Sequence, residues 1–260
     1  MSLLNQPEKF DTLVGLIARL RAPDGCPWDR EQTHASLREN LLSECYEVLE
    51  ALDEGKAADL AEELGDLLLQ IVLHSQIASE AGEFTIDDVV RGITTKIFNR
   101  HPHIFGNRKA KDAREVMHNW EELKRAEREE GTSMLEGVPK QMPALGYARE
   151  VQRRVARVGF DWEDTEGVID KLVEEIQELR EVESQQEKEA EFGDLLFTLV
   201  NVARREGVDA EAALREANRK FFRRFKYMED ICHKSGRSFD KLSFKEQNDL
   251  WEEAKRATGV

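Results

Sequence analysis

The sequence is short of positive charge. Over 260 residues, 38 lysines and arginines stand against 53 aspartates and glutamates, for a formal net charge of −15 at pH 7. Sequence-independent binding to nucleic acid needs a basic footprint that displaces counterions, so that class is excluded. Cysteine is scarce. Cys26, Cys45 and Cys232 form no C-x-x-C pair, which argues against a zinc site or a disulfide framework and fits a reducing cytosol. No apolar run approaches the roughly 20 residues of a membrane span. The start MSLLNQPEKFD is charged too early for a secretory signal, so the chain is expected to be soluble and cytoplasmic, with no membrane partner. Neither G-x-x-x-x-G-K-[ST] nor G-x-G-x-x-G occurs, so P-loop and Rossmann phosphate binding find no support. The E-x-x-H pair that a di-iron bundle needs on two helices occurs once, as Glu115 with His118.

What is present is helical periodicity. Prolines number only six, and stretches such as LLSECYEVLEAL and LGDLLLQIVLHSQIA repeat apolar residues three and four apart, without the alternation of strands. A fraction of 40% hydrophobic with 35% charged residues suits a globular, all-α protein. The pattern also occurs twice. Glu44, Glu47, Glu63 and Asp66 in the first half answer to Glu175, Glu178, Glu191 and Asp194 in the second. Lys96 and Arg100 answer to Lys220 and Arg224, and Trp120 to Trp251. Helix starts repeat too. Thr85 and Asp209 are predicted N-caps, and Asp112 with Glu115 and Ser243 with Glu246 are predicted capping boxes. The loops GCPWD (25–29) and VGFDW (158–162) correspond, with tryptophan and aspartate transposed.

Glycine, proline, serine and threonine interrupt the period between the copies, which predicts an N-terminal domain over 1–125, a linker over 126–142 and a C-terminal domain over 143–260. Each is large enough for a helical bundle. The carboxylates fall on pairs of antiparallel helices predicted over 41–54 and 57–81, then 165–184 and 186–206, with Gly82 and Gly207 as stops. Residues three apart on a helix lie about 60° apart around the axis, so Glu175 and Glu178 share a face, as do Glu191 and Asp194. Four carboxylates from two packed helices then converge. Such a cluster repels itself unless a cation offsets it, and oxygen-only ligands suit Mg²⁺ or Mn²⁺, with coordination places left for water and phosphate. Lys220 and Arg224, four apart, can hold distal phosphates as point charge and fork. Trp120 and Trp251 serve packing or a nucleobase contact.

EEIQE followed by EFGD resembles the E-E-x-x-E then E-x-x-D pattern of the all-α nucleoside triphosphate pyrophosphohydrolases. GCPWDREQTHASL, LAEELGDLLLQ, RHPHIFG and VGFDW are similar to the MazG proteins in particular, over nearly the whole chain. The resemblance implies two tandem helical-bundle domains of that type, a homodimer, Mg²⁺ dependence, and hydrolysis of nucleoside triphosphates to monophosphate and pyrophosphate. It maps metal ligands onto Glu174 or Glu175, Glu178, Glu191 and Asp194, and substrate contacts onto Lys220, Arg224 and Trp251. In the first copy the ligands match Glu44, Glu47, Glu63 and Asp66, with Lys96, Arg100 and Trp120 beside them. The leading glutamate of the pattern, Glu174, is Ser43 there. The C-terminal copy is therefore the expected main catalytic site, with Glu174, Glu175 or Glu178 as the base. The alternatives are a non-catalytic helical scaffold and a narrower dUTP-type or phosphoribosyl-ATP enzyme.

Overall fold

A computed structural model of the chain describes residues 6–126 and 131–259. The side chains of Arg114, His118, Glu121, Glu122 and residues 124–126 fall outside the description, and with them the Glu115–His118 pair. The described residues form twelve α-helices and no strand, as the periodicity requires. They divide into two compact helical units, Met1–Arg128 and Glu129–Val260. No helix among them is long and apolar enough to cross a membrane.

The first unit runs α1 (Phe10–Arg21), α2 (Pro27–Glu31), α3 (Arg38–Glu54), α4 (Ala57–Ala81), α5 (Ile86–Arg100), α6 (Pro102–Phe105) and α7 (Ala113–Ala126). Gly55, at φ 70°, ends α3 in the left-handed region where a Cβ is unfavourable, and α4 folds straight back along α3. Val72 and Leu73 on the other side of α4 close a core with Ile17 of α1 and with Leu37, flanked by Leu13, Val14, Leu69 and Ile77. The helix α4 is thus shared, one side against the core and one side against α3.

The second unit runs α8 (Ala144–Ala156), α9 (Thr165–Glu181), α10 (Gln185–Arg205), α11 (Ala210–Lys234), a 3-10 turn at Phe239–Lys241 and α12 (Phe244–Thr258). The predicted helix 165–184 stops at Glu181, because Ser184 leaves it to cap α10. Ser184 Oγ accepts from the Glu187 amide at 3.2 Å, and the Glu187 carboxylate accepts from the Ser184 amide at 3.3 Å. Met228 and Cys232 on α11 form a core with Leu250 and Ala254 on α12. The segment before α8 is pinned by Arg154, whose guanidinium donates to the carbonyls of Met134, Glu136 and Gly137.

The predicted caps at Thr85, Asp209 and Ser243 all form. At Asp112 only half the box does. The Glu115 amide donates to Asp112 at 2.9 Å, but the Glu115 carboxylate reaches one residue further back, to the Lys111 amide at 2.8 Å.

The loops in front of the carboxylate helices are held by arginines of different origin. In the first unit the Arg21 side chain is 5% exposed, donates to the carbonyls of Asp29 and Gln32, and forks onto Glu80 of α4 at 2.8 and 3.0 Å. In the second, Arg204 donates to Asp161 at 2.7 Å and Arg205 to the carbonyl of Trp162 at 2.8 Å, both from α10. Gly167 at the start of α9 leaves room for Trp162, since a Cβ there would sit 2.9 Å from the indole. Asp29 lies within a short helix and Asp161 in a loop, so the transposed tryptophan and aspartate meet different surroundings.

The Arg21 hydrogen bond holds the Glu80 carboxyl below its ordinary value of 4.5. Its contribution is complete above that pH and lost as pH falls through the depressed folded-state value. Replacing Glu80 by Gln should cost about 1–2 kcal/mol at neutral pH, given its partial exposure. Urea melts of parent and variant should converge in acid.

Candidate functional site

In the second unit, Glu175 and Glu178 on α9 and Glu191 on α10 each bring a carboxylate oxygen to one place, all within 4.8 Å of one another. Glu175 is only 4% exposed, whereas its apolar neighbours Val173 and Ile176 are 49% and 37% exposed. Around Glu175 the helix turns a charge inward and its aliphatic neighbours out. Burial and then the charges of Glu178, Glu175 and Asp194 push the Glu191 carboxyl above its ordinary range. Asp194 therefore adds charge to the cluster while standing outside the converging trio. Lys171, one turn before Glu175, places its ammonium 2.8 Å from Glu174, 2.9 Å from Glu175 and 3.8 Å from Glu178. The hydrogen bonds to Glu174 and Glu175 push its pKa up.

The first unit repeats the arrangement with a different trio, Glu44 on α3 with Glu63 and Asp66 on α4. Here Glu47 stands outside. Ser43 Oγ donates to Glu47 Oε1 at 2.9 Å, so the residue that replaces the leading glutamate tethers the next one. Burial, followed by the charges of Glu47 and Asp66, pushes Glu44 and Glu63 above their ordinary range, and the Gln70 side chain hydrogen-bonds Glu44 against that trend. Gln70 is 4% exposed, and its Oε1 is buried with no hydrogen-bond partner. In each unit the fold gathers three of the four predicted carboxylates at one point.

The basic and aromatic residues form a second group in each unit. Arg224 lies over the Trp251 ring at 5.7 Å, and Arg100 over Trp120 at 5.9 Å. Phe221 packs against Trp251 at 5.3 Å. In the first unit His101 takes that place, edge-on to Trp120 at 5.3 Å. Its Nδ1–H donates to the Ile97 carbonyl at 2.6 Å, which fixes the ring. Arg224 Nε is buried without a hydrogen-bond partner, leaving donor capacity on α11. Lys220 lies one turn before Arg224 and is partly buried, while Lys96 before Arg100 is exposed. Among the described residues no ion pair joins Lys220 or Arg224 to a carboxylate, so the two groups stand as separate constellations.

All the converging donors are carboxylate oxygens, a set that suits a hard divalent cation. The family model of the MazG nucleotide pyrophosphohydrolase domain matches the chain twice, over residues 32–105 and 163–228. A nucleoside triphosphate pyrophosphohydrolase/pyrophosphatase MazG from Thermotoga maritima is 46% identical over 247 residues, 95% of each chain. The chain belongs to the MazG family. A nucleoside triphosphate pyrophosphohydrolase of Escherichia coli K12 is 41% identical over 256 residues, covering 95% of this chain and 97% of that one. The uncharacterized protein YabN of Bacillus subtilis is 46% identical over 252 residues, 95% of this chain and 52% of its own length. MazG domains are metal-dependent, and the two matched stretches contain both carboxylate clusters and both Lys/Arg pairs, while Trp120 and Trp251 lie beyond them.

Sequence reading overlooked Lys171, the Ser43–Glu47 tether and Gln70. Lys171 was detectable, because a lysine four residues before a glutamate on a helix shares its face. The Ser43–Glu47 pair, also four apart on one helix, was detectable on the same ground, whereas the approach of Gln70 to Glu44 runs between two helices and is not encoded in spacing.

A carboxyl whose folded-state pKa is raised favours the fold while protonated. That contribution is present below the ordinary 4.5 and is lost as pH rises through the raised value. At neutral pH with a chelator, Glu63→Gln should therefore melt above the parent. With millimolar Mg²⁺ the order should reverse, since only the parent gains stability from a cation at the N-terminal cluster, while both keep the C-terminal one. Thermal melts under both conditions check the sign.

Proposed function

We propose that this chain hydrolyses nucleoside triphosphates to nucleoside monophosphate and pyrophosphate, clearing them from the nucleotide pool, with the C-terminal copy as the main site. The observation that carries the reading is the meeting of Glu175, Glu178 and Glu191 from two helices, in a chain that also holds an uncommitted donor on Arg224 over Trp251. Glu174 is retained in this copy, whereas Ser43 stands in its place in the other.

Glu175, Glu178 and Glu191, with Asp194 beside them, would hold Mg²⁺, or Mn²⁺ in its place. When bound, that ion supplies neutralisation of phosphate charge and a more acidic water. Lys220 and Arg224 hold the distal phosphates, the ammonium as a point charge and the guanidinium as a fork. Trp251 steadies the guanidinium by its ring face and offers apolar surface to the base. One of Glu174, Glu175 or Glu178 takes the proton of the attacking water. A bond forms from the water oxygen to the α-phosphorus as the bond from that phosphorus to the bridging oxygen breaks. Pyrophosphate departs with the electron pair, its charge met by Lys220 and Arg224. The N-terminal copy, with Glu44, Glu47, Glu63, Asp66, Lys96, Arg100 and Trp120, supports a slower site by the same logic. The functional division runs as an N-terminal domain over 1–125, a linker over 126–142 and a C-terminal domain over 143–260.

Incubation with each triphosphate in ¹⁸O-labelled water should place label in the monophosphate and release pyrophosphate. Nucleoside diphosphate with orthophosphate would overturn attack at the α-phosphorus. Glu178→Gln should cut turnover by roughly a hundredfold or more with helix content unchanged, whereas Glu47→Gln should cut it far less.

Phe192, Leu196 and Leu199 share one exposed face of α10, and Leu64, Leu68 and Ile71 one of α4. Apolar area of this kind on the two helices that carry Glu191 and Glu63 supports a homodimer that covers it. Light scattering should give twice the chain mass, and Leu199→Arg should halve it. A parent that runs as a monomer would sink the dimer.

A further inference from the structure

The two carboxylate clusters differ in one basic residue. In the C-terminal copy the Lys171 ammonium lies 2.9 Å from Glu175 and 3.8 Å from Glu178, two of the three converging carboxylates, and 2.8 Å from Glu174. The matching position in the N-terminal copy, four residues before Glu44, is Asn40, which is uncharged and exposed. Among the described residues no lysine or arginine pairs with Glu44, Glu63 or Asp66. One cluster thus carries its own cation and the other does not.

We propose that Lys171 is a resident counter-cation of the C-terminal cluster, which a divalent ion must displace in order to bind. The inference rests on the reading that both clusters hold such an ion. Carboxylate oxygens engaged by an ammonium are not available to a metal at the same moment, and a positive charge a few ångströms away opposes a second one. Lysine suits the part. Its four-carbon stem is flexible, its side chain is 34% exposed, and the ammonium can swing into water when the oxygens are taken. Because ammonium and metal compete for the same groups, each weakens the hold of the other by the same factor. Lys171 keeps buried Glu175 partnered when no metal is present, at the expense of metal affinity. The N-terminal cluster, with Asn40, makes no such trade.

Mn²⁺ binding to the full chain, followed by calorimetry and by the electron spin resonance of the free ion, tests this. Glu44→Gln with Glu63→Gln removes the N-terminal cluster, so that the remaining binding belongs to the C-terminal one. In that background Lys171→Met should tighten Mn²⁺ binding roughly tenfold. Binding that is unchanged or weaker would overturn the role of Lys171 while leaving the metal reading intact. Absence of Mn²⁺ binding both with and without Lys171 would overturn the metal reading and this inference together. Should Lys171→Met fail to fold, the reciprocal graft decides. With Glu178→Gln and Glu191→Gln removing the C-terminal cluster, Asn40→Lys should weaken Mn²⁺ binding at the N-terminal one several-fold, and unchanged affinity would overturn the proposal.

Discussion

Carboxylates gathered within 4.8 Å repel one another, and the fold of each unit is arranged to tolerate that repulsion. A protein gains nothing for stability by holding Glu44, Glu63 and Asp66 together, or Glu175, Glu178 and Glu191. Burial first, and the neighbouring carboxylates second, raise the pKa of Glu44, Glu63 and Glu191, which is a cost to the folded state at neutral pH. What opposes it is packing elsewhere: the cores around Ile17 and Val72 in one unit and around Met228 and Leu250 in the other, with arginines that clamp the leading loops. Stress held at a polar cluster and offset by apolar cores is the expected signature of a site kept for chemistry.

The repeat also shows how one substitution reshapes a cluster. Where the second copy has Glu174, the first has Ser43, whose hydroxyl donates to Glu47, and there Asp66 completes the trio. In the second copy Lys171 occupies the face above Glu175, Glu178 joins the trio and Asp194 is the outsider. The four-residue pattern is the same. Its neighbours on the helix surface differ, and so do the three that converge.

The aromatic groups follow the same rule. Both units place an arginine over a tryptophan, yet the third partner is Phe221 in one and His101 in the other. An imidazole fixed by a backbone carbonyl and a phenyl ring both fill the space beside an indole, so the packing survives the exchange while the polarity changes. Copies of one motif can therefore keep a framework and diverge in affinity.

By itself the sequence determined the all-α class, the repetition, the caps at Thr85, Asp209 and Ser243, and which carboxylates share a helical face. All of these depend on spacing within a single helix or on a neighbour three or four residues away, and local geometry is fixed by local sequence. The tertiary structure decided the rest. That Glu175 is buried while Val173 faces out, and that Asp66 takes the place of Glu47, follow from how α3 meets α4 and how α9 meets α10. Which oxygens meet between two helices depends on their rotation and on rotamers settled by contacts distant in sequence, and no periodicity along one chain carries that information.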